Sequence, residues 1–111
     1  MTPADFRRLA LALPDATEAA HMAHPNFRVH GKIFATLDSP SVGWGVVKLA
    51  PKQQQLLVDM DPDTYVPAAG AWGRRGYTSI RLRTAGKPVV QRALYEAWCN
   101  TAPKRLVRAS Q

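Results

Sequence analysis

Apolar residues recur at helical spacing near the start of the chain. Phe6, Leu9, Ala10 and Leu13 fall on one face, while Arg7, Arg8 and Ala12 lie off it. Thr2-Pro3 supplies an N-cap and a proline at the first helical position, Asp5 suits the positive end of the helix dipole, and Pro14 is a stop. The pattern predicts an amphipathic helix with a single buried face. Ala16 to Met22 reads as a strand that carries Glu18 and His21.

Beyond Pro25 the run Asn26 to Leu37 predicts a β-hairpin that turns near Gly31. A two-residue His30-Gly31 loop pairs Val29 with Lys32 and leaves apolar residues on both faces. A three-residue Val29-His30-Gly31 loop pairs Phe27 with Ile33. It gathers Phe27, Ile33, Ala35 and Leu37 on the core face and Arg28, Lys32, Phe34 and Thr36 on the other. The second register segregates better and is the expected one.

Trp44 to Leu49 predicts a third strand, and Pro51 to Met60 a short helix with Leu56, Leu57 and Met60 facing inward. Tyr65 to Gly76, rich in Gly, Ala and Pro, is the least regular stretch. Tyr77 to Thr84 alternates, with Thr78, Ile80 and Leu82 on one face and Tyr77, Ser79, Arg81 and Arg83 on the other. The last long helix starts at Pro88 with Val90, Leu94, Ala97 and Trp98 at core spacing, and Lys104 to Ser110 forms a helical tail. The expected fold is α+β in one domain, residues 1–111, with a mainly antiparallel sheet and helices packed on one face.

Composition adds a boundary and a bias. The 111 residues are 46% hydrophobic, enough for a core without staples, and Cys99 stands alone, so no disulfide forms within the chain. The first thirteen residues never build an apolar run. Neither a signal peptide nor a membrane span is predicted, which makes the cytoplasm the expected location and a monomer the expected state.

The charge is segregated. Residues 1–73 hold six Lys/Arg against seven acids, whereas residues 74–111 hold nine against Glu96 alone, so the whole net charge of +7 arises in the last third. Such a field attracts polyanions, and ten of the fifteen cations are Arg, whose planar fork suits phosphate. DNA is therefore the expected partner, bound mostly through its phosphates with little base readout. The leading candidate is Trp72-Gly73-Arg74-Arg75-Gly76-Tyr77, running into Arg81 and Arg83: glycines free the backbone, arginines clasp phosphates and rings stack. The bland reading is a flexible loop with Trp72 packed inward. Lys104, Arg105 and Arg108 form a second cluster, equally explained by the helix dipole. Lys32, with Arg28, completes the set at the hairpin tip.

The run His24-Pro25-Asn26-Phe27-Arg28-Val29-His30-Gly31-Lys32-Ile33-Phe34-Ala35 resembles the signature of the YjbR-like (MmcQ) family of small bacterial proteins. Leu13-Pro14, Gly73 to Tyr77 and Ala102 to Val107 extend the resemblance over nearly the whole chain, with Tyr77 where the family often carries Trp. The resemblance implies an α+β sandwich similar to the frataxin-like (CyaY-like) bacterial fold, DNA binding with a pair of β-wings, and no agreed catalytic residues. Iron delivery on a frataxin-like scaffold relies on an acidic ridge along the first helix and strand. Here that region holds Asp5, Asp15 and Glu18, diluted by Arg7 and Arg8, too sparse for a hard cation.

No other chemistry stands out. His21, His24 and His30 lack the spacing and the companion ligands of a metal site, so no metal and no cofactor are expected. Cys99 beside Trp98 reads as packing, and no paired carboxylates or phosphate loop mark an enzyme. The competing function is a protein- or small-ligand-binding module. Its mark would be a concave apolar site near Trp44, Trp72 and Tyr77 in place of a flat basic surface.

Overall fold

The computed structural model describes residues 1–21 and 24–111; Met22, the expected end of the first strand, lies outside them. Helix α1 (Pro3–Leu11) starts at a capping box. The Thr2 hydroxyl accepts from the Asp5 N–H at 3.1 Å, and the Asp5 carboxylate accepts from the Thr2 N–H at 2.9 Å. Strands β1 (Ala16–His21), β2 (His24–Val29), β3 (Lys32–Leu37) and β4 (Trp44–Lys48) follow, then α2 (Pro51–Met60). Next come β5 (Tyr65–Pro67), α3 (Gly70–Arg74), β6 (Tyr77–Arg81), a 3-10 turn (Leu82–Thr84), α4 (Lys87–Thr101) and α5 (Lys104–Ala109). Among the described residues six antiparallel strands form one sheet in the order β1-β2-β3-β4-β6-β5. The α+β architecture is as expected.

One face of the sheet makes the core with α1 and α4. Phe6, Phe27, Leu37, Val47, Ile80, Leu94 and Trp98 are fully buried there, each contributing roughly 2 kcal/mol. Gly45 admits the Phe6 ring: a Cβ at that position would stand 2.8 Å from Phe6 Cε2. Val90, Leu94, Ala97 and Trp98 face inward from α4 as their spacing predicts. The Trp98 indole N–H donates to the Pro14 carbonyl at 2.9 Å, tying α4 to the segment after α1.

Four expectations need correction. The hairpin takes the two-residue loop, Val29 opposite Lys32 and Arg28 opposite Ile33. His30 (φ 49°) and Gly31 (φ 82°) both adopt positive φ, the condition of a type I′ turn. A bulge then sets Phe27 opposite Ala35, where Ile33 was expected, so Phe34 is buried and Ile33, 40% exposed, moves to the opposite face. The apolar residues on both faces, which argued against this register, are real: the second face is also used.

In α2, Leu57 packs against the core but Leu56 and Met60 are 72% and 57% exposed. The inner side of α2 carries Gln53 and Gln54 instead, with their amides hydrogen-bonded. Gln53 donates to Glu96 at 2.9 Å, and Gln54 donates to the carbonyls of Gly73 and Tyr77 at 3.0 and 2.9 Å. Satisfied polar groups can occupy an inner position that a hydrophobic count assigns to Leu.

The stretch from Tyr65 to Gly76 is ordered, containing β5 and α3. Finally, β6 ends at Arg81, and Arg83 lies in the 3-10 turn, so the two arginines do not share a strand face.

Candidate functional site

Alternation along β4 and β6 sends Gly45, Val47, Thr78 and Ile80 to the core side, and Trp44, Val46, Lys48, Tyr77, Ser79 and Arg81 to the other. Residues opposite each other on this second face are Trp44 with Arg81, Val46 with Ser79 and Lys48 with Tyr77. Over Trp44, Val46, Tyr77 and Ser79 of this face lies a cleft of about 630 Å³, walled by Ile33 and Thr36 of β3, Pro40, the β5 residues Val66 and Pro67, and Trp72. The concave apolar site expected of a protein- or small-ligand-binding module is therefore present. Its volume falls within the range of roughly 300–1,000 Å³ typical of ligand pockets.

Three rings define the cleft. The Trp72 and Tyr77 centroids are 5.0 Å apart in an edge-on arrangement, and Trp72 is 55% exposed, not packed inward. Arginines lie against the two indoles. The Arg81 guanidinium carbon stands 4.6 Å from the Trp44 centroid, with its Nε–H donated to the Asp63 carbonyl at 3.2 Å. That of Arg75 stands 5.5 Å from Trp72. Each pair is a cation–π contact that holds a planar cation beside an aromatic surface.

The glycines of the Trp72–Tyr77 segment serve the fold. A side chain at Gly73 would overlap the Ala68 carbonyl, and one at Gly76 (φ 110°) would overlap that of Leu49. They permit close backbone approach where the sequence suggested freedom for a ligand. Gln54, bonded to the carbonyls on either side of the turn, holds α3 against β6.

Of the residues proposed from sequence, Tyr77, Arg75 and Arg81 come together around the cleft and its rings. Lys32 is exposed beside Ile33, while Arg74 and Arg83 are exposed and, among the described residues, have no cation–π contact with either indole. Lys104, Arg105 and Arg108 line α5, with Leu106 and Val107 packed against the core, and none of them borders the cleft. Arg28 is half-buried and donates from Nε to the Asn26 side chain at 2.9 Å. Val46 and Lys48 join the face without any charge-cluster or aromatic signal of their own; the period-2 pattern Trp44-Val46-Lys48 is the sequence feature that finds them.

The carboxylates of the first helix and strand do not converge. Asp5 is held by its Thr2 partners, which lower its pKa, with Arg8 adding to the effect. Glu18 pairs with Arg7 at 3.0 Å and Asp15 with His30 at 2.9 Å. Among the described residues the ion pairs engage Arg7, Arg8 and Arg92, and His30 is hydrogen-bonded to Asp15, leaving Lys48, Arg75 and Arg81 without a carboxylate.

A family model described as YjbR matches residues 11–101. The chain belongs to the YjbR family. Among solved structures, this YjbR-family chain is similar to Deinococcus radiodurans protein DR2400, which carries a DUF419 domain. The TM-score is 0.76 at 17% identity, over 89% of this chain and 77% of that one, a likeness of fold. No curated protein matches it. Among the described residues no helix is long and apolar enough to cross a membrane.

Proposed function

We propose that this YjbR-family domain binds single-stranded DNA through the open face of its sheet. Bases lie against Trp44, Trp72 and Tyr77, and phosphates meet Arg75 and Arg81. The observation that carries this reading is the pair of guanidiniums held against two of the cleft's three rings, Arg75 on Trp72 and Arg81 on Trp44, with no carboxylate paired to either among the described residues. Base–aromatic stacking contributes roughly 1–3 kcal/mol per base and tolerates any sequence. Weak base readout follows from that tolerance.

Single strands are favoured over duplex on shape. A duplex stacks its bases inside and presents a convex phosphate surface, which a hollow of about 630 Å³ does not match. Unstacked bases enter it. The exposed Arg74, Arg83 and Lys32 add attraction at a distance, so affinity falls steeply with salt. The α5 cluster of Lys104, Arg105 and Arg108 plays a smaller part than sequence order suggests. In this reading the domain acts as a monomer in the cytoplasm.

A second reading is favoured by the apolar walls. Val46, Val66, Pro40 and Pro67 exceed what stacking requires and suit a small ligand with an aromatic or apolar body and an anionic group. Fluorescence anisotropy at low salt, with a labelled oligothymidylate of about 8 nucleotides and a matched duplex, tests the first reading. The expected result is tighter binding of the single strand. Equal binding of both, or of neither, overturns it. A thermal shift with a nucleotide or aromatic acid, without DNA binding, establishes the second.

A further inference from the structure

Behind Tyr77 lies a second hollow of about 460 Å³, formed by Lys48, Leu49, Ala50, Arg75, Tyr77 and Asn100. Tyr77 borders both spaces. Lys48 is its neighbour across the β4–β6 ladder, and Arg75 leans on Trp72, a wall of the larger cleft. The two spaces differ in chemistry. The larger is walled mainly by apolar side chains, while the smaller, also partly apolar through Leu49 and Ala50, has the cations Lys48 and Arg75 in its wall.

The polar groups around the smaller hollow are arranged to leave those cations free. Asn100 donates to the Lys48 carbonyl at 3.1 Å and to Gln53 at 2.9 Å, fixing the end of β4. Gln53 accepts from the Ala50 N–H at 2.8 Å and donates to Glu96 at 2.9 Å. Glu96, the nearby carboxylate, is held by Gln53 and by Arg92 at 3.6 Å. Among the described residues neither Lys48 nor Arg75 has an acidic partner.

We infer that the smaller hollow is a phosphate subsite, Lys48 and Arg75 holding the phosphate of a nucleotide whose base lies in the apolar cleft. The inference rests on the nucleic-acid reading and deepens it by assigning a place to the phosphate. Arg75 supplies a planar fork and Lys48 a compact charge, a pairing suited to a phosphate reached from two sides. Tyr77 sits between base and phosphate and offers its hydroxyl to the bound group.

Titration of intrinsic Trp fluorescence with thymidine and with thymidine 5′-monophosphate tests the subsite, for the wild type, Lys48→Gln and Arg75→Gln. The monophosphate is expected to bind about tenfold more tightly than the nucleoside, as one or two charge-assisted hydrogen bonds require. Each variant cuts that advantage severalfold; Lys48→Gln leaves thymidine affinity unchanged, while Arg75→Gln, which also loses the contact with Trp72, weakens the monophosphate more than thymidine, with thermal melting confirming each fold. If thymidine binds and the phosphate adds nothing, or if the advantage survives in both variants, the subsite is wrong and the base site stands. Loss of thymidine and monophosphate affinity in equal measure in a folded variant also refutes it. If neither compound binds the wild type, the base site and the subsite fall together.

Discussion

Arg81 and Trp44 face each other across the β4–β6 ladder, the guanidinium carbon 4.6 Å from the indole centroid. The contact fixes the arginine at the margin of the cleft, where its Nε–H is spent on the Asp63 carbonyl and its other donors remain for a ligand. Arg81→Ala is expected to weaken single-strand binding about tenfold while costing stability no more than about 1 kcal/mol. Arg81→Lys recovers only part of the binding, because a point charge lacks the planar fork. Anisotropy and chemical denaturation read the two effects separately. Equal loss of both would mean that Arg81 only supports the fold.

Gly76 is a structural requirement at the edge of the site. Its φ of 110° and its approach to the Leu49 carbonyl leave no room for a side chain. Gly76→Ala is expected to destabilise by about 2 kcal/mol or more, read as a lower denaturant midpoint. Gly31, with open space around its Cβ position, makes a useful comparison, since there only the backbone conformation opposes a side chain. A Gly76→Ala protein as stable as the wild type would contradict the close approach.

Trp98 joins the helical layer to the chain after α1 through the bond from its indole N–H to the Pro14 carbonyl. Trp98→Phe removes that bond and part of a fully buried ring, with an expected loss of about 2 kcal/mol. Binding at the cleft, on the other side of the sheet, stays unchanged. Urea melts combined with anisotropy test the separation of the two faces.

Tyr65 gives a pH dependence of defined sign. Burial raises its phenol pKa above the ordinary 10.0, and the negative charge of Asp61 raises it further. The folded state thus favours the protonated phenol. Its contribution to stability is present below pH 10.0 and is lost as the pH rises through the folded-state pKa. Stability measured by urea melts is expected to fall above pH 10.0 in the wild type and to fall less in Tyr65→Phe. Parallel curves would contradict the assignment.

Much of the architecture could be read from the sequence because strong local signals agree with the tertiary fold. Thr2, Pro3 and Asp5 mark the first helix, and the spacing of Val90, Leu94, Ala97 and Trp98 marks the face of α4 that becomes core. The failures share a cause. Segregating every apolar residue toward a single core mispredicts both the hairpin register and the inner face of α2. Ile33, Val46 and Trp44 instead serve a second apolar face, while Gln53 and Gln54 take inner positions because their amides find partners. Charge counting had the further limit that sequence neighbours need not be spatial ones. Arg75 and Arg81 reach the cleft's rings, whereas Lys104, Arg105 and Arg108, counted with them, stand on α5 away from it.

The most direct test of the binding face is ¹H–¹⁵N chemical-shift mapping of the labelled protein during addition of a short oligothymidylate at low salt. The indole N–H signals of Trp44 and Trp72 and the backbone amides of Val46, Tyr77 and Arg81 should shift together, with the Trp98 indole unmoved. Shifts confined to Lys104–Arg108, or none at all, would contradict a nucleic-acid site on the open face of the sheet.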